Sequence, residues 1–291
     1  METGRFSPGI GHTGRMKKRP LVLKIIAAFL AAGGIVWLIA RFSEPVYQGI
    51  PLSVWLDEAY RNGDVTSYLA DTQPDTSSAR AVRAIGADAL PTLINMVRTK
   101  DTPIRRMLDH LSTTYKWLPM YHRLYFESHP MAVYGFRMLG PSAKSAVPDL
   151  VALLDDNDPQ VRVCAACCLA KVGRAGADAV PGLEKHLRTV VRNKPGTGWE
   201  EDAEAAIYAL GGIGPAARPA LSQIAAFTNS GSYMFAATSR AALIKITGSG
   251  LAAAVKPLED PSNLTNWYIA WAVVEDLGSM ATPLFLCFSR I

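Results

Sequence analysis

Four cysteines in 291 residues are too few for a disulfide framework, and three of them, Cys164, Cys167 and Cys168, crowd one short stretch. Their C-x-x-C spacing has no thioredoxin-like strand before it, and the thiols fall where small apolar residues of a helix stripe belong. There is no G-x-S-x-G, no H-E-x-x-H and no kinase-type motif, so no common hydrolase, zincin or kinase site is written here. The Gly-rich LGGIGPAARP at 210–219 lacks Gly-Lys-Ser/Thr and follows no strand, which removes a phosphate loop. Three of the five histidines, His110, His122 and His129, lack His-x3-His spacing and a carboxylate companion; no metal and no cofactor are expected. Asp155, Asp156 and Asp158 have no central Gly and no Glu at position twelve, so they are not a calcium loop.

Basic charge is also missing from most of the chain. The net charge is +5, but residues 1–41 hold seven basic residues against Glu2 alone. The remaining 250 residues carry 23 basic and 24 acidic groups. An electrostatic footprint for nucleic acid is therefore absent from the part that folds.

The one long hydrophobic run is Leu21–Ala40. Twenty helical residues span roughly 30 Å, the hydrocarbon thickness of a bilayer. Lys24 can snorkel to the basic side and Trp37 suits the far interface. Arg15, Lys17, Lys18 and Arg19 precede the run and only Arg41 follows closely, which orients the N-terminus to the cytoplasm. An uncleaved anchor is favoured over a cleaved signal peptide, because Leu38 and Arg41 spoil the small-x-small pattern. The expected organisation is a basic cytoplasmic tail at 1–20, a membrane helix at 21–40, a juxtamembrane helix and linker at 41–76, and a repeat domain at 77–291. Residues 1–15 are expected to be either a disordered tail or untranslated; in the second case Met16 is the start, and MKKRP leads straight into the apolar run. Ser53 is expected to cap the juxtamembrane helix, whose apolar positions are Val54, Leu56 and Tyr60, with Trp55 adding to them.

Beyond residue 77 the chain repeats itself. An Ala/Gly-rich link ending in Pro-x-Leu recurs at 82–93, 139–150, 172–183 and 210–221, with weaker copies at 246–258 and 277–284. The prolines, at 91, 148, 181, 219, 257 and 283, are spaced by 57, 33, 38, 38 and 26 residues. Around each link lie two short apolar stripes at helical spacing. Val147, Leu150, Val151 and Leu154 form one; Val161, Ala165, Cys168, Leu169 and Val172 form the other. Asp158 is placed as N-cap and Pro159 at the first helical position, and Pro148 sits in a first turn where its missing N–H costs nothing. Helices this short need neighbours, so hairpins must stack on copies of themselves. The fold class is all-α, an α-solenoid behind one membrane helix. The helices that precede the links are expected near 129–140, 159–172, 199–210, 234–246 and 263–277.

The unit DNDPQVRVCAACCLAKVG with its Pro-x-Leu helix resembles a HEAT repeat of the bacterial, phycobilisome-lyase-like type, through Asp158, Pro159, Val161, Arg162, Ala165, Leu169 and Gly173. EPVYQGIPLSVWL at 44–56 similarly resembles a phrase of membrane-anchored bacterial HEAT-repeat proteins. The resemblance implies a right-handed superhelix with Pro148, Pro181 and Pro219 on outer helices. It also implies that the other helix of each unit faces the groove. Asp158 and Arg162, four apart, are expected to form a polar ladder that holds neighbouring repeats in register. Glu200, Glu201, Asp202 and Glu204 are read as dipole-complementing residues of a helix start.

The functional expectation is a non-catalytic scaffold in the bacterial inner membrane, its repeat domain outside the cytoplasm, binding a protein partner on a concave face. Residues 101–129 insert about one extra helix rich in aromatics. The favoured reading is that they cover the join to the juxtamembrane helix. The other is a partner-binding patch made by Tyr115, Trp117, Tyr121, His122, Tyr125 and His129. A lyase-like role would need a reactive groove cysteine or histidine, and a nucleic-acid role would need a basic groove. The last unit has an outer helix without an inner one, so truncation, partner docking or self-pairing is expected at the C-terminus.

Overall fold

The computed structural model describes residues 44–62, 75–100, 102, 128–193, 198–250, 270, 272–274 and 277. The chain divides after Glu44 into two units, and every element described below belongs to the second, Pro45–Ile291. The expected membrane helix, the Met16 start, the linker core, most of the aromatic insert and the C-terminal end lie outside the described residues. Among the described residues no helix is long and apolar enough to cross a membrane.

Those residues are mostly helical, as an all-α reading requires. A two-residue antiparallel hairpin, β1 (Val46–Tyr47) with β2 (Ile50–Pro51), leads into α1 (Leu52–Arg61). The expected Ser53 cap is incorrect. Pro51 is the N-cap, extended at φ −62° and offering no side-chain hydrogen bond, because the β2 strand feeds straight into the helix. This start turns Leu52, Trp55, Leu56 and Ala59 inward and leaves Val54 exposed, where it was expected on the apolar stripe. Trp55 lies 6.3 Å from the Tyr47 ring and its Nε1–H donates to the Tyr47 carbonyl at 3.4 Å.

Hairpins follow in order, each of two helices joined by a tight 3-10 link. They are α2 (Ser77–Ile85) with α3 (Leu90–Val97), α4 (Ser128–Leu139) with α5 (Val147–Leu153), α6 (Pro159–Val172) with α7 (Val180–Asn193), and α8 (Trp199–Ile213) with α9 (Leu221–Ala225). The first helix of a further unit is α10 (Tyr233–Thr247). Val273, Val274 and Leu277, all in helical conformation, pack against α10.

The links explain the Ala/Gly signature. Gly86, Gly140, Gly173 and Gly214 open them with φ between +51° and +77°, a region open to glycine at little cost. Each first helix stops there, and the prolines fit where the second helix is about to begin: Pro148 and Pro181 are the second residues of α5 and α7, and Pro219 lies in the link before α9. Consecutive links touch one another. So do consecutive first helices: α4 packs on α6, α6 on α8, and α8 on α10.

The core is continuous from Leu52 to Ile246. Both sequence stripes take part. Val161, Ala165, Cys168, Leu169 and Val172 are fully excluded from solvent, as is Leu150, while Val151 is half-buried. Each such Leu contributes about 1.5–3 kcal/mol on burial, which short helices could not supply alone. Close approach is secured by two adjacent glycines. A Cβ on Gly212 would stand 2.7 Å from the Ala170 carbonyl oxygen and 2.9 Å from the Ala170 Cα of α6. One on Gly211 would stand 2.9 Å from the Ala242 Cα of α10. The α8 backbone is thus in contact on both sides.

Candidate functional site: the exposed face of the first helices

Buried polar groups join the hairpins, and one arrangement differs from the sequence expectation. Asp158 does cap α6, accepting from the Gln160 N–H at 3.0 Å, but it does not pair with Arg162. Arg162 turns toward the following hairpin. Its Nε and Nη2 reach Asp202 Oδ2 at 2.8 and 2.6 Å, and its Nη1 donates to the Asp156 and Asn157 carbonyls at 2.8 and 3.2 Å. The reason is that Asp158, at the N-cap, has its oxygen committed to its own helix, while Asp202 is 1% exposed and has to be paired. Asp202 Oδ1 is 2.9 Å from His186 Nε2 of α7. An ionised carboxylate only accepts, so the His186 Nε2–H donates to it. Burial works to raise the Asp202 carboxyl, but the His186 and Arg162 hydrogen bonds and charges outweigh it and hold it below the usual range.

Asp202 does lie in the first turn of α8, as expected, and is in addition the node joining α6, α7 and α8. The signal available in the sequence was its place one turn into α8, beside Ala203 on the buried side.

Other pairs also link neighbouring hairpins. Arg98 reaches Asp149 at 3.3 Å, Lys185 reaches Asp155 at 2.8 Å, and Lys100 reaches Asp156 at 2.7 Å. Burial works to raise the Asp156 carboxyl, but the Asp158 N–H at 2.8 Å and Lys100 hold it down. A depression of about 410 Å³ between α3 and α5 is bridged by the Arg98–Asp149 pair and belongs to this ladder.

The other side of the first helices carries the groups that reach solvent. Val163, Cys167 and Lys171 lie along α6, Glu201 and Glu204 along α8, and Met234 and Lys245 along α10. Tyr208 of α8 and Thr238 of α10 are buried beneath them in the same rows. Successive residues in each row fall at helical spacing, so the three rows share one surface. Between them is a depression of about 210 Å³ whose lining includes Val133, Cys167, Ala205 and Met234. Thr238 Oγ1 donates to Glu204 Oε1 at 2.8 Å. Glu201 is exposed and forms no ion pair or hydrogen bond with any described side chain. At the far end Lys171 Nζ donates to the Tyr208 hydroxyl at 2.6 Å, and Lys171 and Lys245 stand 5.2 and 5.7 Å from the Tyr208 ring centre.

The cysteines sit in the packing. Cys164 and Cys168 are buried and Cys167 is half-buried. Burial, then the neighbouring Cys164, pushes the Cys167 thiol up to about 12, and burial raises Cys168 as well. Of the expected aromatic patch, only His129 is described. It is half-buried at the start of α4 with Nε2–H donating to the Thr99 carbonyl at 3.0 Å, a bond that ties α4 to the end of the preceding hairpin. Tyr115, Trp117, Tyr121, His122 and Tyr125 lie outside the described residues. Among the described residues no three His, Cys, Asp or Glu side chains are grouped to hold a metal.

No protein-family model matches the chain, and neither curated proteins nor solved structures give a match.

Proposed function

We propose that this chain is a membrane-tethered, non-catalytic scaffold. Its repeat domain is a right-handed HEAT-like α-solenoid outside the cytoplasm of a bacterial cell, anchored through residues 21–40, and its first helices line a concave face that takes a protein partner. The HEAT-like signature around Asp158 and Gly173, the stacked glycine links and the side-by-side packing of α4, α6, α8 and α10 support the architecture.

The observation that carries the binding role is the apolar depression on the exposed side of those helices. Val163, Cys167, Met234 and Tyr208 come together there on a preformed surface. Preformed concave surfaces lose little freedom on docking, which favours recognition by shape. A lyase-like role through Cys167 is disfavoured, because a thiol pushed to about 12 is protonated at neutral pH and is a poor nucleophile. A nucleic-acid role is disfavoured by the near-neutral charge of residues 42–291.

Site-specific photocrosslinking in native membranes tests this reading. A photoreactive residue at Val163 or Met234 is expected to give a discrete protein adduct, and one at Lys185 or Arg192, on α7, is not. Adducts from α7 alone, or none from either face, would overturn it.

A further inference from the structure

The depression between α6, α8 and α10 is lined by Glu201 and Glu204 at one end and by Tyr208 at the other, and Lys171 and Lys245 stand beside Tyr208 outside its lining. At the start of α8, Glu201 lies exposed with no ion pair among the described residues, and Glu204 is oriented by Thr238. Toward the end of α8 and α10, Lys171 and Lys245 flank Tyr208. The floor between the ends is apolar, with Val133, Cys167 and Met234. A cation entering at the first end finds carboxylates and aliphatic surface for its stem. At the second end the Tyr208 ring is already engaged by two ammonium groups, so that end favours an anion.

The spacing sets a ruler. Glu201 and Tyr208 are seven residues apart on one helix, about 10 Å at a rise of about 1.5 Å per residue. An extended chain advances about 3.3 Å per residue, so the two ends are bridged by about three residues.

From this we infer that the face recognises an extended segment of a partner protein in which a lysine or arginine and an aspartate or glutamate are separated by about three positions, with an apolar residue between them. The cationic side chain pairs with Glu201 and Glu204, and the anionic one with Lys171 and Lys245. The inference rests on the scaffold reading above and names the chemistry of its partner. Affinity comes mainly from the apolar floor. The charges set register and exclude segments of one sign, because exposed ion pairs are individually weak.

The test uses the full chain in detergent and four fluorescein-labelled nonapeptides of one apolar-polar background. The two ruler positions hold Arg and Glu, Arg and Arg, Glu and Glu, or Gln and Gln, and binding is read by fluorescence anisotropy. The wild type is expected to bind the Arg/Glu peptide tightest, with each mismatched end weakening binding about two- to fivefold. Glu201→Lys is expected to shift the preference to the Glu/Glu peptide, and Lys171→Glu to the Arg/Arg peptide, with both effects shrinking as salt rises. An order of binding that neither variant alters, or no binding of any peptide, overturns the inference. If Met234 photoadducts persist under those conditions, the scaffold reading stands and only this charge register fails. If Met234 gives no adduct in the wild type, the scaffold reading fails first.

Discussion

At the scale of single residues, Asp202 carries the most structural weight. It is almost wholly excluded from solvent and pairs at once with Arg162 and His186, on two different helices. Removing one partner of a buried charge pair typically costs about 3–5 kcal/mol, because the remaining charge stays in low dielectric. Asp202→Ala is therefore expected to lower the unfolding free energy read from urea titration by that order, and Arg162→Ala to do nearly the same. The double variant should lose much less than the sum. The sign of the pH dependence follows from the lowered Asp202 carboxyl. Its contribution is present in full above about pH 4, the ordinary aspartate range, and is lost as pH falls through the lower folded value. Wild-type stability should drop in that acid window, and Asp202→Asn should lack that part of the drop. A midpoint with the same acid slope in both proteins would contradict the assignment.

Cys167 makes the second prediction at this scale. With the thiol pushed to about 12, only about one molecule in 10⁵ is thiolate at pH 7. Alkylation by iodoacetamide is expected to run at least about a hundredfold slower in the folded protein than in urea. Rapid labelling of folded Cys167 would revive a reactive-cysteine role.

At the scale of elements, the links and the glycines divide into two kinds, and substitution should separate them. Gly173 has φ +65° and a Cβ there would meet nothing nearer than the Gly212 carbonyl at 3.8 Å. Gly173→Ala should thus cost only the backbone term of a φ/ψ pair, +65° and −141°, that favours glycine, about 1–3 kcal/mol. Gly212 has ordinary helical geometry, but its Cβ would press on the α6 backbone. Gly212→Ala must push two helices apart, and an overpacked core typically loses about 1–3 kcal/mol. A larger residue should discriminate further: Gly212→Leu is expected to be far worse than Gly212→Ala, whereas Gly173→Leu should cost little more than Gly173→Ala, since nothing stands nearer than 3.8 Å to a Cβ there. Thermal melts by circular dichroism check both.

These elements also mark how far the sequence could be read. The helices at 128–139, 159–172, 199–213 and 233–247 fall within a few residues of their expected positions, because hydrophobic period, proline and glycine all agree there. Asp158 as N-cap was legible for the same reason: capping is local. The start of α1 was not, because Pro51 ends a strand pair whose hydrogen bonds, not a side-chain cap, fix the entry. Nor was the true partner of Arg162. Two residues four apart on one helix look like a pair in sequence, yet Asp202, forty residues on, is the buried group that needs the charge.

At the scale of the molecule, the repeat signature conveys which faces pack but not which residues converge on the exposed side. The aromatic insert stands out in sequence because it breaks the period, and its favoured reading there is cover for the join to the juxtamembrane helix. The surface on α6, α8 and α10 does not stand out, because its residues come singly from three repeats and converge only when the hairpins stack. Glu201 and Glu204, read as a helix start, acquire a second setting beside Cys167 and Met234 only in three dimensions.

Hairpins that stack in sequence order depend chiefly on their neighbours, and stability in such arrays is nearly a sum of unit and nearest-neighbour terms. Hydrogen exchange of the Gly212→Ala protein, peptide by peptide against wild type, tests this most directly. Faster exchange is predicted in α6, α8 and α10, a smaller change in α4, and no change in α1 and α2. Equal loss of protection across every helix would contradict it.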